Sequence, residues 1–219
     1  MLSEKLDQVQ NRIAAAAARA GRSTDEILLI AVTKKFAPSV ICEAYQAGLR
    51  HFGENYVQEF ADKSATLANL SGARFHLIGH LQSNKTAKAA ELFQVVQTVD
   101  TAKLARRLAA EGKPLDVMIE VKLSEEQSKS GADPEEIPAL IEAISGCPNL
   151  RLLGLMTMPP WTTNAEESRP YFVRLRELGD QHGLKQLSMG MSNDFEVAIE
   201  EGATMIRVGT ALFGPRQKP

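Results

Sequence analysis

Eight short apolar runs, separated by amphipathic segments, recur along the 219 residues of the chain. Several of these runs are continuously hydrophobic instead of alternating, which is typical of parallel strands covered on both faces. The segments between them keep helical spacing, and a glycine often stands between a helix and the next run. This alternation of strand and helix is the pattern of a parallel α/β protein.

The pattern divides the chain into a leading helix and a series of strand–helix units. The leading helix is predicted over residues 3–20, with Ser3 as its N-cap and Gly21 at its end. The predicted strands are residues 27–34, 51–55, 74–79, 95–99, 116–122, 151–158, 186–191 and 205–208. The predicted joining helices are residues 39–47, 56–70, 83–92, 101–111, 134–145, 165–182 and 194–201. The glycines expected to end a helix before a strand are Gly48, Gly72, Gly112, Gly146, Gly183 and Gly202.

Eight such units, without a linker rich in Pro, Gly or Ser, predict one closed (β/α)8 TIM barrel. The barrel is expected to cover residues 27–214 of a single domain that spans residues 1–219. The alternative is an open doubly wound sheet, which usually has fewer strands and a Gly-rich first turn. Here the first strand ends in Thr33, Lys34 and Lys35 instead, so the closed barrel is favoured.

Composition excludes several classes of function. The 25 basic side chains nearly balance 27 acidic ones, for a net charge of −2, which argues against electrostatic binding to nucleic acid or to an anionic membrane. The start of the chain is too acidic for a signal peptide, and the longest run of large apolar residues is far shorter than the roughly 20 needed to span a bilayer. Cys42 and Cys147 are read as buried thiols. We therefore expect a soluble, cytoplasmic protein.

The ends of the last two predicted strands suggest a phosphate site. A barrel of this type places its active site at the carboxyl ends of the strands, and the loops after strands 7 and 8 commonly bind phosphate. Here these ends contain Gly190 with Ser192, and Gly209 with Thr210, which offer backbone amides and hydroxyls. Ser192 has an alternative role as the N-cap of the helix that begins near Asp194.

Lys34 ends the first predicted strand, directly after an apolar run. Desolvation at such a position disfavours the ammonium form and leaves a nucleophilic amine that can form a Schiff base. Lys35 is expected to point to the other face, although the pattern does not tell which of the two lysines faces the barrel mouth. Most lysines at strand ends are simply solvated, so a functional role for Lys34 depends on the phosphate site opposite it.

Two other features are weaker. His76 and His80 are four residues apart, but on a strand and its following turn they diverge, so no metal site is expected. Trp161 follows two prolines in the loop after the sixth strand, where it belongs either to a mobile flap or to a rigid turn.

Seven segments of the sequence carry a pattern of ordered motifs: residues 31–34, 52–59, 76–85, 128–131, 154–156, 190–192 and 207–214. Together they resemble one family, the pyridoxal 5′-phosphate (PLP) homeostasis proteins, which are the YggS/PROSC-type, alanine-racemase-like PLP-binding proteins. The resemblance extends from about residue 27 to residue 214.

The resemblance implies a fold like the N-terminal domain of alanine racemase and a role for individual residues. It implies that Lys34 holds PLP as a Schiff base, that Arg207 faces the pyridine nitrogen and that Asn55 lies near the ring. It makes Lys129 a second lysine close to the site. The residues that it assigns to the phosphate are Ser192, Gly209 and Thr210. Two positions depart from the family pattern: His80 replaces a common proline, and residues 193–194 replace a frequent pair of aspartates.

An arginine opposite the pyridine nitrogen argues against strong catalysis. A guanidinium can only donate, so the nitrogen stays unprotonated and the ring is a weak electron sink, unlike the ring in aminotransferases. The alternative for Arg207 is a salt bridge with a nearby carboxylate. Racemases that resemble this barrel add a second domain with an opposite-face base, whereas this sequence stops five residues after Gly214.

We therefore expect a monomeric protein that binds, buffers or delivers PLP without efficient turnover, with PLP-dependent apoenzymes or amino acids as further partners. One alternative is a weak PLP-dependent amino-acid racemase or lyase. A third hypothesis, independent of the resemblance, is a sugar-phosphate isomerase or aldolase in which Lys34 forms a Schiff base with substrate.

Overall fold

The computed structural model describes residues 1–124 and 130–215. Within that part of the chain, eight parallel strands form a closed barrel in the order β1 to β8. Strand β8 closes on β1, with Leu28 opposite Met205. The strands are β1 Leu28–Val32, β2 His51–Glu54, β3 Arg74–Leu77, β4 Val95–Val99, β5 Leu115–Glu120, β6 Leu150–Met156, β7 Gln186–Met191 and β8 Met205–Val208. The predicted closed barrel is therefore confirmed, and the open sheet is excluded.

A leading helix precedes the barrel, and one helix follows each strand. The helices are α1 Leu2–Arg19, α2 Pro38–Gln46, α3 Val57–Ser64, α4 Thr86–Leu92, α5 Ala102–Ala110, α6 Ile137–Ser145, α7 Arg169–His182, α8 Phe195–Glu200 and α9 Thr210–Phe213. Short 3-10 turns lead into several of them. Within the described ranges, none of these helices has both the length and the apolar character needed to cross a membrane.

The leading helix begins earlier than its sequence pattern predicts. Helix α1 starts at Leu2, so Ser3 lies in the first turn and is not the N-cap. The charged amino terminus lies 2.6 Å from the Glu4 carboxylate, which favours a helix that starts at the beginning of the chain. Leu6 and Val9 are buried on the face that packs against α8 and α9.

The predicted element boundaries are shifted by a few residues. Strand β1 ends at Val32 because Thr33 already begins a turn, in which the Phe36 N–H bonds the Thr33 carbonyl. The predicted helix 56–70 contains only α3, followed by the 3-10 turn Ala65–Leu67. Five of the six glycines expected to end helices have a positive φ, and the exception is Gly146, with a φ of −72°.

Two apolar layers enclose the strands. The larger one lies between the strands and the surrounding helices. The smaller one fills the barrel interior and contains Ile30, Met118, Met156 and Met205. It leaves the carboxyl ends of the strands to polar side chains.

The two cysteines differ in burial. Cys147 is buried, as predicted, and its thiol bonds the Ala143 carbonyl at 3.2 Å. The same prediction is wrong for Cys42, which is only partly buried. It lies one residue past Ile41, at the edge of the buried face of α2.

Candidate functional site

A cavity of about 510 Å³ opens at the carboxyl ends of the strands. This volume is within the range of pockets that hold small ligands, roughly 300–1,000 Å³. The cavity is lined by groups from distant parts of the sequence, with Val32 and Gly214, 182 positions apart, as the two extremes. All six predicted site residues line it: Lys34, Asn55, Ser192, Arg207, Gly209 and Thr210.

Lys34 occupies the second position of the turn Thr33–Phe36 that follows β1. It is partly buried and lines the cavity, whereas Lys35 is exposed and does not. Lys35 has a φ of +65°, a value more often found in glycine at the third position of a turn. The structure therefore resolves which of the two lysines faces the barrel mouth.

Ser192 connects the loops that follow β7 and β8. Its hydroxyl oxygen accepts the backbone N–H groups of Gly209, at 3.2 Å, and Ala211, at 3.3 Å. Because these two bonds occupy both lone pairs, the hydroxyl hydrogen is directed away from them. Thr210 follows Gly209 as the first residue of α9, and its side chain is exposed at the cavity. Hydroxyl groups from two loops thus lie on one wall.

The alternative role of Ser192 as an N-cap of α8 is wrong, because Asp194 occupies that position. The Asp194 carboxylate accepts the Met191 N–H at 2.6 Å and the Ser168 hydroxyl at 2.8 Å. The neighbouring Asn193 amide donates to the Thr162 carbonyl at 2.8 Å, so this departure from the family pattern links two loops at the cavity rim.

Gly190 has a structural reason to be glycine. Its φ is +88°, and a Cβ there would lie 2.5 Å from the Ala198 Cβ on α8. It does not line the cavity, unlike Gly209. The structure therefore does not place Gly190 at the predicted phosphate site. A glycine is required there because β7 packs closely against α8.

Arg207 lies at the floor of the cavity, on β8, and is 2% exposed. Its guanidinium donates to the Ser188 hydroxyl at 2.7 Å and to the Thr157 carbonyl at 2.8 Å. Among the described residues, no carboxylate lies within ion-pair distance, so the predicted alternative of a salt bridge is wrong. Burial lowers the pKa of Arg207 to about 10, against the opposing effect of Asp194 and Glu120. Arg207 therefore remains protonated at neutral pH.

A chain of buried hydrogen bonds leads from Arg207 through the barrel. The Ser188 hydroxyl donates to the Gln97 carbonyl oxygen at 2.6 Å, and the Gln97 amide bonds His76 Nδ1 at 3.0 Å. His76 Nε2 in turn bonds His51 Nδ1 at 3.0 Å. Since a guanidinium only donates, it fixes the direction of donation from Arg207 to His51. Burial lowers the pKa of His76 to about 3, so the chain contains neutral imidazole.

A buried acid, Glu120, interacts electrostatically with Arg207. Glu120 ends β5 and is 2% exposed, and its Oε2 has no hydrogen-bond partner. Burial, followed by the charge of Asp100, raises the pKa of Glu120 to about 7, while Arg207 opposes that shift. Burial also raises the pKa of Asp100, which lies 3.6 Å from the half-exposed His80 ring. His80 and His76 thus have separate partners, as their placement on a strand and a turn predicts.

The remaining predicted groups lie around the rim. Asn55 follows β2, and its side-chain oxygen is buried without a hydrogen-bond partner. Trp161 is 78% exposed and lines the cavity entrance. Lys129, the expected second lysine, lies outside the described residues.

Sequence reasoning missed the groups that hold the predicted ones. Ser188, Gln97 and Glu120 lie in strands that were read as apolar runs. The signal was present, since a single Gln in the run Val95–Val99 and a Glu at the end of β5 are costly to bury without a purpose.

The chain matches known proteins over almost its entire length. The family model of the alanine racemase N-terminal domain matches residues 5–217. The pyridoxal phosphate homeostasis protein of Pseudomonas aeruginosa is 48% identical over 221 residues, which cover 98% of this chain and 96% of that protein.

Solved structures share the fold. PipY of Synechococcus elongatus is 38% identical and aligns over 98% of this chain and 100% of its own, with a TM-score of 0.86 without PLP and 0.83 with PLP bound. Alanine racemase of Bacillus anthracis aligns at 17% identity and a TM-score of 0.68, over 97% of this chain and 57% of the racemase, which is a likeness of fold alone. With a family model over nearly the full chain and a relative close to half identical, this chain belongs to the pyridoxal phosphate homeostasis proteins, which are built on the N-terminal fold of alanine racemase.

Proposed function

We propose that this chain binds PLP at the barrel mouth through the amine of Lys34 and serves PLP homeostasis in the cytoplasm. The observation that supports this most is the convergence of Lys34 with Ser192, Gly209 and Thr210 on one cavity of about 510 Å³. An amine and an anion cradle are the two groups that a phosphorylated aldehyde requires. The solved structure of the relative PipY with PLP bound supports PLP as the ligand.

The residues present fit the cofactor. Ser192 and Thr210 supply hydroxyl donors for a phosphate, and the Ser192 hydroxyl hydrogen is directed away from the amides that its oxygen accepts. The buried, unpartnered oxygen of Asn55, which also lines the cavity, would supply an acceptor for the cofactor. When PLP is bound, its aldehyde supplies an electrophilic carbon that condenses with a lysine amine and releases water.

Arg207 is proposed to face the pyridine nitrogen. Its guanidinium is oriented by Ser188 and Thr157 and stays charged at neutral pH. It can donate a hydrogen bond to the nitrogen but not accept one, which leaves the nitrogen without a proton. This arrangement favours holding the cofactor over using it as an electron sink.

Binding, buffering or delivery is therefore proposed instead of efficient turnover. The names of the relatives point to homeostasis and not to catalysis. We also propose that residues 1–219 act as a monomeric, single-domain carrier, with PLP-dependent apoenzymes or amino acids as further partners. Weak amino-acid racemase or lyase activity is the alternative function.

Reduction with borohydride tests the proposal. The PLP-loaded protein is reduced and digested, and the peptides are searched for a pyridoxyl group on Lys34. We expect the adduct there and not on Lys35, its exposed neighbour. Fully loaded protein with an unmodified Lys34 contradicts the assignment. Formation of D-isomers from L-amino acids on the usual enzyme scale of roughly 1–10³ s⁻¹, lost in Lys34→Ala, would favour the alternative.

A further inference from the structure

One cluster of charged side chains holds the turn that presents Lys34. The cluster consists of Glu54 at the end of β2 with Glu59 and Lys63 on α3, and we name it the Lys63 clamp. None of the three residues lines the cavity. They lie beneath the turn Thr33–Phe36, on the side that faces α3.

Lys63 is the centre of the clamp. It is 6% exposed, which is unusual for a lysine. Its ammonium donates to the Thr33 and Phe36 carbonyls, both at 3.2 Å, and to Glu54 Oε1 at 2.9 Å. These three bonds use its three N–H donors, and both carbonyls belong to the ends of the turn.

The two carboxylates complete the contact with the turn. Glu59 Oε1 accepts the Lys35 backbone N–H at 2.5 Å and lies 2.8 Å from the Lys63 ammonium. Glu54 Oε1 accepts the Thr33 hydroxyl at 2.8 Å. The clamp thus bonds the first, third and fourth residues of the turn and leaves the second, Lys34, facing the cavity.

The backbone of the turn requires such support. Within residues 1–124 and 130–215, Lys35 is the sole non-glycine residue with a positive φ. A side chain in this conformation is disfavoured and persists where the surroundings determine it. Here, the bond from the Lys35 N–H to Glu59 and the two carbonyl bonds to Lys63 fix the peptide groups on both sides of Lys34.

We propose that Lys63, Glu54 and Glu59 are positioning residues that set the place and direction of the Lys34 amine. This inference rests on the proposed function, since it concerns the reaction of Lys34 with the aldehyde of PLP. Within the described residues, the side-chain hydrogen bonds of the clamp go either to the turn or to one another, and the phosphate cradle is built by other loops. It therefore affects bond formation at Lys34 and leaves phosphate recognition intact.

Paired ligands separate these two contributions. Lys63→Met is titrated with PLP and with pyridoxine 5′-phosphate, which keeps the phosphate and replaces the aldehyde by an alcohol. We expect the affinity for PLP to fall about tenfold or more, because small misplacements of a reacting group are costly, and the affinity for the alcohol to stay within about twofold. Equal losses for both ligands, or no loss for either, would overturn the inference.

A milder pair of variants covers the case in which Lys63→Met does not fold. Glu59 is partly exposed, so Glu59→Leu is expected to fold while losing the acceptor for the Lys35 N–H. Glu59→Gln keeps a side-chain carbonyl at that place and should restore PLP affinity to near the wild-type value. Equal PLP affinities in the two variants contradict the clamp.

A second readout does not need the cofactor. In the apo protein, Lys34 is modified with a small amine-reactive reagent at several pH values. The pH dependence of the modification rate should change in Glu59→Leu and return towards that of the wild type in Glu59→Gln. Arg151→Met, which removes an ion pair at the opposite end of the barrel, is the control and should leave this profile unchanged. If the wild-type protein forms no adduct at Lys34, the proposed function fails; if it does and the clamp variants match it, only this inference fails.

Discussion

The two ends of the barrel treat their polar groups differently. At the amino end, both oxygens of Asp116 are bonded to arginines: Arg151 donates to each at 2.7 Å, and Arg74 donates to one at 2.6 Å. At the carboxyl end, polar atoms are buried without a partner. The four such side-chain atoms found in the described ranges belong to Glu54, Asn55, Glu120 and Ser124. Each of these residues ends a strand or follows one.

This difference indicates that polar groups at the amino end contribute to stability, whereas those at the carboxyl end are available to a ligand. Buried polar groups in native proteins are nearly always paired, so an orphaned atom calls for an explanation. Here the orphaned atoms gather at the end where barrels of this type bind ligands, whereas both oxygens of the buried Asp116 at the other end are paired. Substitutions at the two ends should therefore have opposite signatures in stability and in PLP affinity.

The largest effect should come from Lys34 at the carboxyl end. Lys34→Ala removes the proposed covalent attachment, so the affinity for PLP should fall about 100-fold or more, while the free energy of unfolding of the apo protein stays within about 0.5 kcal/mol. Equilibrium dialysis and urea unfolding measure the two quantities. Lys35→Ala is the matched control, and an equal loss of affinity there would contradict the assignment.

Asp116 should give the reverse result. Asp116→Ala leaves Arg74 and Arg151 without their shared acceptor and should lower the free energy of unfolding by about 2 kcal/mol, a figure that allows for the exposure of both arginines. The affinity for PLP should be unchanged. A parallel loss of PLP affinity would show that the two ends are coupled.

The pH dependence of stability should also differ between the ends. Burial raises the pKa of Glu120 to about 7, so its stabilising proton is fully retained below the ordinary value near 4.5 and is lost as the pH rises through 7. Relative to wild type, Glu120→Gln should therefore become more stable between pH 4.5 and 7, by at most about 1.4 kcal/mol per pH unit. Urea unfolding at several pH values measures this difference.

The shift at the amino end has the opposite sign. Although burial alone would raise the pKa of Asp116, hydrogen bonds and charge from Arg151 and Arg74 lower it overall. Its contribution to stability is therefore present above its ordinary value near 3.8 and is lost as the pH falls through the lowered pKa. In Asp116→Asn, the free energy of unfolding should therefore fall less steeply at acid pH than in the wild type. Its pH dependence between pH 4.5 and 7 should be the same as in the wild type. If the free energy of unfolding, relative to wild type, changed with pH in the same way in Glu120→Gln and in Asp116→Asn, the comparison between the two ends would be wrong.

The smallest effect is expected at the phosphate cradle. Thr210 is exposed, so Thr210→Val should change the free energy of unfolding by less than about 0.5 kcal/mol and lower the affinity for PLP about fivefold, by loss of one hydrogen bond. The affinity for pyridoxal, which lacks the phosphate, should not change. Thr24→Val, at an exposed threonine in the turn that precedes β1 at the other end of the barrel, serves as the control. If Thr210→Val lowers the free energy of unfolding of the apo protein by as much as it lowers the free energy of PLP binding, the role of Thr210 is structural.

The sequence was sufficient to predict the barrel, because burial of both faces makes parallel strands recognisable as continuous apolar runs. It placed boundaries less well. The shift of β1 from Lys34 back to Val32 depends on a turn that is stabilised by α3, which lies more than 20 residues later. The predicted N-cap at Ser3 is wrong because the helix begins one residue earlier, where the amino terminus donates to the Glu4 carboxylate.

The candidate site was predicted from strand ends and from family resemblance, but its supporting residues were not. Lys63 lies three residues after Phe60 on the buried face of α3, where helical spacing predicts an apolar side chain, and its bonds to the turn after β1 explain why a lysine is buried there. Gln97 and Ser188 lie within apolar strands, and their role depends on facing each other across the barrel interior. Such contacts join residues distant in sequence, and periodicity does not encode them.

Crystals grown with PLP provide the most direct test of the central claim, which is that the carboxyl end of the barrel binds the cofactor between Lys34 and the cradle of Ser192, Gly209 and Thr210. The account predicts continuous electron density from Lys34 Nζ to the cofactor, with the phosphate within hydrogen-bond distance of Ser192 and Thr210. Density joined to another lysine, or a phosphate bound away from this cradle, would contradict it.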